Sequence, residues 1–94
     1  MENVIINSII ALCTEEGMEL ELDIHGMTII ESKIYLTQML DNISVDCKEV
    51  IVVHGYHSAI LLNFVRREFF HKRIYRKILS LNPGQTIFLL HGSM

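Results

Sequence analysis

The stretch that decides the fold is Leu22-Asp23-Ile24-His25-Gly26-Met27-Thr28, which continues into Ile29-Ile30-Glu31. Apolar and polar residues alternate from residue 19 to residue 25, and this period of two is typical of a half-buried strand. Gly26 then interrupts the strand, while Thr28 and Glu31 have the spacing of a capping box at the start of a helix. The stretch therefore predicts a strand over 20–25 that turns directly into a helix over 29–42.

Asp23 and His25 form the first candidate site, because side chains two positions apart leave a strand on the same face. They lie at the C-terminal end of the strand, where α/β folds usually bind ligands. An imidazole with an ordinary pKa of about 6.5 can act as general acid or base near neutral pH, and a carboxylate can fix its tautomer. Each residue alone also has a simpler interpretation, a turn histidine and a solvated charge.

The rest of the chain predicts three more strands and a second helix. Val50-Ile51-Val52-Val53 is a β-branched run typical of a central strand, and a helix over 58–71 follows it. Residues 75–81 and 86–90 predict a hairpin closed by a type II turn at Asn82-Pro83-Gly84-Gln85. Right-handed crossovers make the first two strands parallel, with both helices on one face. The predicted fold class is α/β, a two-layer α+β sandwich of order β-α-β-α-β-β on a mixed four-stranded sheet.

The N-terminal segment predicts a helical extension over 1–17 that precedes a domain over 18–94. Isoleucines at positions 5, 6, 9 and 10 form a helical stripe, and Gly17 can end the helix. Since both core helices are expected on one side of the sheet, the stripe must pack on the domain's own exposed flank or against a second copy. The second arrangement predicts a homodimer.

Length and composition limit the classes of protein to which this chain could belong. Ninety-four residues suffice for one core. No apolar run reaches the roughly 20 residues of a membrane span, and no signal-peptide pattern is present, so no membrane association is expected. Cys13 and Cys47 lack the density of a disulfide scaffold, which favours a cytoplasmic location.

Charge is distributed unevenly along a chain whose net charge is −3. Residues 1–53 hold two basic and ten acidic side chains, whereas residues 54–94 hold six basic and one acidic. A basic half can bind a polyanion even when the total charge is negative. Ordinary solvated faces explain the same distribution equally well.

Parallel pairing of the first two strands is expected to bring His25 close to His54 and to the loop that carries Tyr56 and His57. The N–H groups that open the second helix favour a phosphate. These groups together suit hydrolysis or transesterification of a phosphodiester. A metal-dependent phosphohydrolase using His25, His54 and His57 is a weaker alternative.

Four blocks of the sequence resemble the Smr (small MutS-related) domain over residues 19–91. They are Leu22–Thr28 with Glu31, Ile51–His57, Val65–Glu68 and Gly84-Gln85-Thr86 before an apolar strand. The resemblance implies the fold of the C-terminal domain of translation initiation factor three, with strand order 1-2-4-3 and the last strand antiparallel to the others. It also implies nucleic-acid binding and, as in several family members, endonuclease activity that nicks DNA or cleaves RNA.

By the resemblance, Asp23 and His25 match the catalytic Asp-x-His motif and His54-Gly55 opens the second motif. Ser58-Ala59-Ile60 stands where relatives carry further glycines, which let backbone N–H groups approach a phosphate. We therefore predict an Smr-like endonuclease acting on RNA or DNA, or alternatively a non-catalytic module that binds nucleic acid or protein. No metal ligand or certain cofactor is predicted, and a need for a divalent metal is left open. The predicted catalytic residues are Asp23, His25 and His54; the predicted nucleic-acid-binding residues are Gly55, Tyr56, His57, Ser58, Arg66, Arg67, Lys72 and Arg73.

Overall fold

Two strand–helix units followed by two strands make up residues 19–91, the part of the chain that the computed structural model describes. The elements are β1 (Glu19–Asp23), α1 (Ile29–Asn42), β2 (Glu49–Val53), α2 (Ala59–Asn63) with a π-helical turn (Phe64–Glu68), β3 (Ile74–Leu79) and β4 (Gln85–Leu90). The predicted extension over 1–17 lies outside the described residues. Within residues 19–91, no helix has the length and apolar character needed to cross a membrane.

The four strands form one mixed sheet in the order β1-β2-β4-β3. β1 pairs parallel with β2, and β4 runs antiparallel to both of its neighbours, β2 and β3. The structure thus confirms a small α+β domain with a mixed four-stranded sheet and two helices. The predicted parallel pairing of the first two strands is also observed.

The capping box holds the start of α1 at the predicted position. Thr28 Oγ1 accepts a hydrogen bond from Glu31 N at 3.1 Å, and Glu31 Oε1 accepts one from Thr28 N at 2.9 Å. These bonds satisfy N–H groups that have no partner inside the helix. Because the cap fixes where the helix begins, it also fixes the length of the turn that carries His25.

Both helices pack on the same face of the sheet. Along β2 and β4 every second residue is buried, which separates an inner face from an outer one. Inner-face residues such as Val52 and Phe88 share one core with Leu36 and Leu40 of α1 and Val65 of the π-helical turn. The ends of the parallel strands therefore lie beside the start of each helix.

The prediction of a continuous second helix to residue 71 is wrong. The helix changes to a π-helical turn at Phe64 and ends before Phe69, whose N–H donates to Phe64 O at 2.8 Å. Burial of Phe69 against Phe88, with ring centroids 6.0 Å apart, draws the chain into the core. Lys77 Nζ donates to the Val65 and Phe69 carbonyls and so satisfies oxygens at this helix end.

The prediction of a type II turn between β3 and β4 is also wrong. Within residues 19–91, Gly26 and Gly55 have positive φ but Gly84 does not, and type II requires it there. Asn82 O accepts from Gln85 N at 3.1 Å, and Asn82 Oδ1 accepts from Gly84 N at 2.9 Å. Gly84 also ties this turn to a neighbouring loop, because its carbonyl oxygen accepts from His54 N at 2.9 Å and from Gly55 N at 3.0 Å.

Candidate active site

Three connections meet at the end of the sheet where β1 and β2 finish. The N–H groups of His54 and Gly55 both donate to Gly84 O, at 2.9 and 3.0 Å, so the β2–α2 loop is tied to the β3–β4 turn. Gly55 also approaches the β1–α1 turn closely, because a Cβ added to it would lie 3.4 Å from His25 Cβ. The expected proximity of His25 and the His54-Gly55 loop is therefore observed.

Asp23 and His25 form an exposed hydrogen-bonded pair. Asp23 Oδ1 lies 2.6 Å from His25 Nδ1 and also accepts from the His25 backbone N–H at 3.0 Å. The side chains are 55% and 71% exposed, respectively. A carboxylate only accepts, so His25 Nδ1 carries a proton, and in the neutral imidazole Nε2 keeps its lone pair.

The hydrogen bonds between Asp23 and His25 also change the pKa of the Asp23 carboxyl group. The hydrogen bonds from the His25 side chain and backbone lower the pKa of Asp23 below its ordinary value. The ionised carboxylate holds the neutral imidazole of His25 in the tautomer with Nε2 unprotonated. An exposed Nε2 with a lone pair can accept a proton from a hydroxyl group.

His54 is buried, with 1% of its surface exposed. Its Nδ1 lies 3.3 Å from Gly55 O, which only accepts, so this nitrogen carries the proton and Nε2 accepts from the Thr86 hydroxyl at 3.0 Å. Arg66 completes the network, since its Nε donates to Thr86 Oγ1 at 2.8 Å and its Nη2 to Gln85 O at 2.9 Å. Both ring nitrogens of His54 are engaged, so its position supports a structural role that holds the loop rather than contact with a substrate.

We expect His54 to make the free energy of unfolding depend on pH. Burial lowers the pKa of His54 below 6.5, and the Arg66 charge acts in the same direction. The unfolded chain then binds a proton at this residue that the folded chain does not, so stability falls as the pH drops below about 6.5 toward the lowered pKa.

Urea unfolding at about pH 7.5 and 5.5 measures this dependence. The His54→Asn variant should lose less stability between the two pH values than the wild type does. His91→Asn is the matched control, because His91 is an exposed histidine after β4 at the other end of the sheet. An equal pH dependence of the free energy of unfolding in the wild type and His54→Asn would contradict the assignment of this dependence to His54.

The four basic residues predicted to hold phosphates divide into two pairs. Arg66 points inward to the Thr86 network, and Arg73 donates to the Ile43 and His91 carbonyls at 3.2 and 3.1 Å. Both guanidinium groups are therefore occupied within the fold. Arg67 and Lys72 are exposed and remain candidates for phosphate contacts.

The loop before α2 combines exposed side chains with a capped helix start. Tyr56 is 67% exposed, His57 is also exposed, and Ser58 Oγ accepts from Leu61 N at 3.1 Å. Ile60 is 66% exposed at the position where the resemblance leads us to expect glycine. The regular helix that follows has five residues, so the dipole available to a phosphate is smaller than a helix over 58–71 would provide.

Residues 19–91 contain no cluster of three His, Cys, Asp or Glu side chains placed to bind a metal ion. The alternative that uses His25, His54 and His57 together has no support from their positions, because both His54 nitrogens are engaged. No protein-family model, curated protein or solved structure matches this chain. Membership of the Smr family therefore stays a prediction from the sequence motifs.

Proposed function

We propose that this chain is an Smr-like domain that binds nucleic acid and cleaves phosphodiester bonds. The observation that carries the proposal is the exposed Asp23–His25 pair, with 2.6 Å between Oδ1 and Nδ1, at the end of two parallel strands. The β1-β2-β4-β3 order, with β4 antiparallel, supports a fold like the C-terminal domain of translation initiation factor three. The capping box after His25 gives further support, since it lies within the matched motif.

The proposed chemistry uses one imidazole. His25 Nε2 accepts the proton of the attacking hydroxyl, either water or a ribose 2′-OH, as its oxygen bonds to phosphorus. The bond from phosphorus to the leaving oxygen breaks, and the imidazolium returns the proton to that oxygen. Asp23 stabilises the imidazolium between these two steps, because its carboxylate stays hydrogen-bonded to Nδ1.

A cleavage assay with the full chain tests the activity. Labelled single-stranded RNA and supercoiled circular DNA are incubated with the protein, each with and without a chelator. Cleavage of either substrate supports the proposal, and the chelator arm shows whether a divalent metal is required. Binding of both substrates without cleavage of either would support the alternative below.

The alternative is a non-catalytic module that binds nucleic acid or protein. It is favoured by the exposed Ile60 beside the loop and by the engagement of Arg66 and Arg73 within the fold, which removes two phosphate ligands. Apolar Ile60 suits contact with a protein better than contact with a phosphate. The Asp23–His25 pair would then have no reaction to perform.

Binding to nucleic acid is expected to depend on salt through the exposed basic residues. Arg67→Ala and Lys72→Ala should each reduce the slope of log K against log salt by up to about one unit, because each removes one phosphate contact. Lys48→Ala is the matched control, since Lys48 is also exposed but lies in the acidic half of the chain. Fluorescence anisotropy of a labelled oligonucleotide at several salt concentrations measures the slopes. An unchanged slope in both variants would contradict a phosphate-binding role for them.

A further inference from the structure

One face of the sheet is apolar and carries neither helix. Strand register places Ile51, Ile87 and Ile78 side by side across β2, β4 and β3. Val53 and Leu89 lie on this same face, two residues further along β2 and β4. All five side chains retain part of their exposure, and none belongs to the buried core. We refer to these five residues as the open face.

The composition of the open face differs from that of a solvated sheet surface. A sheet face that stays in water normally alternates polar residues with the buried ones of the other face. Charged residues of this face lie on the edge strands, with Glu21 and Asp23 on β1 and Arg76 on β3, and at the start of β2, where Glu49 pairs with Leu89. The residues between them are aliphatic. A contiguous aliphatic centre indicates a surface that another segment covers.

We propose that residues 1–18 of the same chain dock on the open face. This segment directly precedes β1, an edge strand of the sheet. It contains isoleucines at positions 5, 6, 9 and 10, and its charged side chains, Glu2, Glu15 and Glu16, lie outside this stripe. The apolar stripe can therefore cover the aliphatic centre without burying a charge. Docking would place the apolar stripe predicted for this segment on the aliphatic residues that lie outside the buried core.

Length and connectivity also favour this arrangement. Eighteen residues would span about 27 Å as a helix, whereas four strands spread over about 15 Å between the outer strand axes. The segment is therefore long enough to cross the sheet from β1 to β3. Because it is covalently attached to β1, its effective concentration at the open face exceeds that of a free second copy in dilute solution.

The groove between α1 and the π-helical turn is the competing site. It encloses about 630 Å³ and exposes Ile30, Ile34 and Phe70. Lys33 and Glu68 also line it, so a segment that filled it would remove water from two charged groups. The charged groups of the open face lie around its five aliphatic residues, whereas Lys33 and Glu68 line the groove itself, which is why we place the segment on the open face.

Spin labelling of the full chain tests the proposal. The native Cys13 lies in the segment and takes the label, while Cys47 is 0% exposed; a Cys13→Ser chain reports any label at Cys47. We expect the isoleucine methyl signals of the open face to lose at least about fivefold more intensity than those of Ile30 and Ile34, because paramagnetic broadening falls steeply with distance. A second label site, Asn7→Cys in the Cys13→Ser chain, guards against disturbance of docking by the first label.

The same spectra separate the competing outcomes. Stronger broadening of Ile30 and Ile34 would assign the segment to the groove and overturn the proposal. Equal or negligible broadening of both sets with both labels would show that the segment does not dock. Mixing spin-labelled chains with isotope-labelled chains reports contact between molecules. Broadening of the open face in that mixture, comparable to that in chains carrying both labels, would assign the position to a second copy, as in the predicted homodimer, and would overturn docking within one chain.

Discussion

The His25→Ala variant is expected to cleave its nucleic-acid substrate about 10²- to 10⁴-fold more slowly than the wild type, which is the usual contribution of general acid–base catalysis. His25 presents Nε2 at the candidate site while its Nδ1 is held by Asp23. Removal of the imidazole leaves no group at this position to accept the proton of the attacking hydroxyl. Single-turnover cleavage of a labelled substrate measures the effect directly.

Asp23→Asn separates the orienting role from the proton-transfer role. An amide oxygen can still accept the hydrogen bond from His25 Nδ1, but the negative charge that stabilises the imidazolium is lost. We expect a smaller decrease of about 10- to 100-fold, by analogy with the loss seen when the group that orients a metal-binding histidine is removed. The decrease should appear in the cleavage rate rather than in substrate affinity.

Two controls make these results specific. His91→Ala removes an exposed histidine at the far end of the sheet and should leave the cleavage rate unchanged. The His25→Ala variant should also unfold within about 0.5 kcal/mol of the wild type, since its side chain is exposed. Cleavage that persists in a chain carrying both Asp23→Ala and His25→Ala would show that this pair is not the catalytic centre.

The parts of the fold that follow from local sequence are predictable. The capping box at Thr28 and Glu31 fixes the start of α1, and the β-branched run at 50–53 marks a central strand without reference to any other residue. Parallel pairing of β1 and β2 then follows from the handedness of crossovers. These features place His25 beside the β2–α2 loop, so the position of the candidate site could be predicted from the sequence.

The state of each histidine depends on distant residues and is harder to predict. His54 looks equivalent to His25 in sequence, since both precede a glycine that ends a strand. Its burial depends on Thr86, thirty-two positions away, and on the turn of Arg66 toward that hydroxyl. The sequence contained one indication that a polar side chain is buried near Thr86. Thr86 alternates in phase with Phe88 and Leu90, so its side chain had to lie on the buried face of the sheet and needed a polar partner.

The prediction of a type II turn was wrong for a related reason. A Pro-Gly pair is compatible with more than one turn type, and the choice depended on packing rather than on conformational preference. Gly84 O accepts from the N–H groups of His54 and Gly55, and Gly84 N donates to the Asn82 side chain. A tertiary contact therefore decided a local conformation, as it did where Phe69 ended the second helix.

The Arg73→Ala variant is expected to lower the free energy of unfolding by about 2–4 kcal/mol, although the sequence placed this residue among the phosphate ligands. Its guanidinium group lies 3.1 and 3.2 Å from the His91 and Ile43 carbonyls and 3.5 Å from two more in the α1–β2 connection. Ile43 follows the C-terminal end of α1, where a cation also interacts favourably with the helix dipole. Alanine would remove this donor from all four oxygens, of which Ser44 O keeps the Cys47 N–H.

Arg67→Ala is the matched control for this prediction, because Arg67 is exposed and should change stability by less than about 0.5 kcal/mol. Arg73→Lys should fall between the two, since an ammonium group keeps the charge but cannot reach several carbonyls with a planar fork. Urea unfolding of the four proteins gives the order directly. If Arg73→Ala were as mild as Arg67→Ala, the contacts of Arg73 would not hold the connection together. If Arg73→Ala is destabilised as expected, weaker nucleic-acid binding by this variant would reflect a smaller folded fraction rather than a lost phosphate contact. Arg67 and Lys72 are then the residues that test phosphate contact.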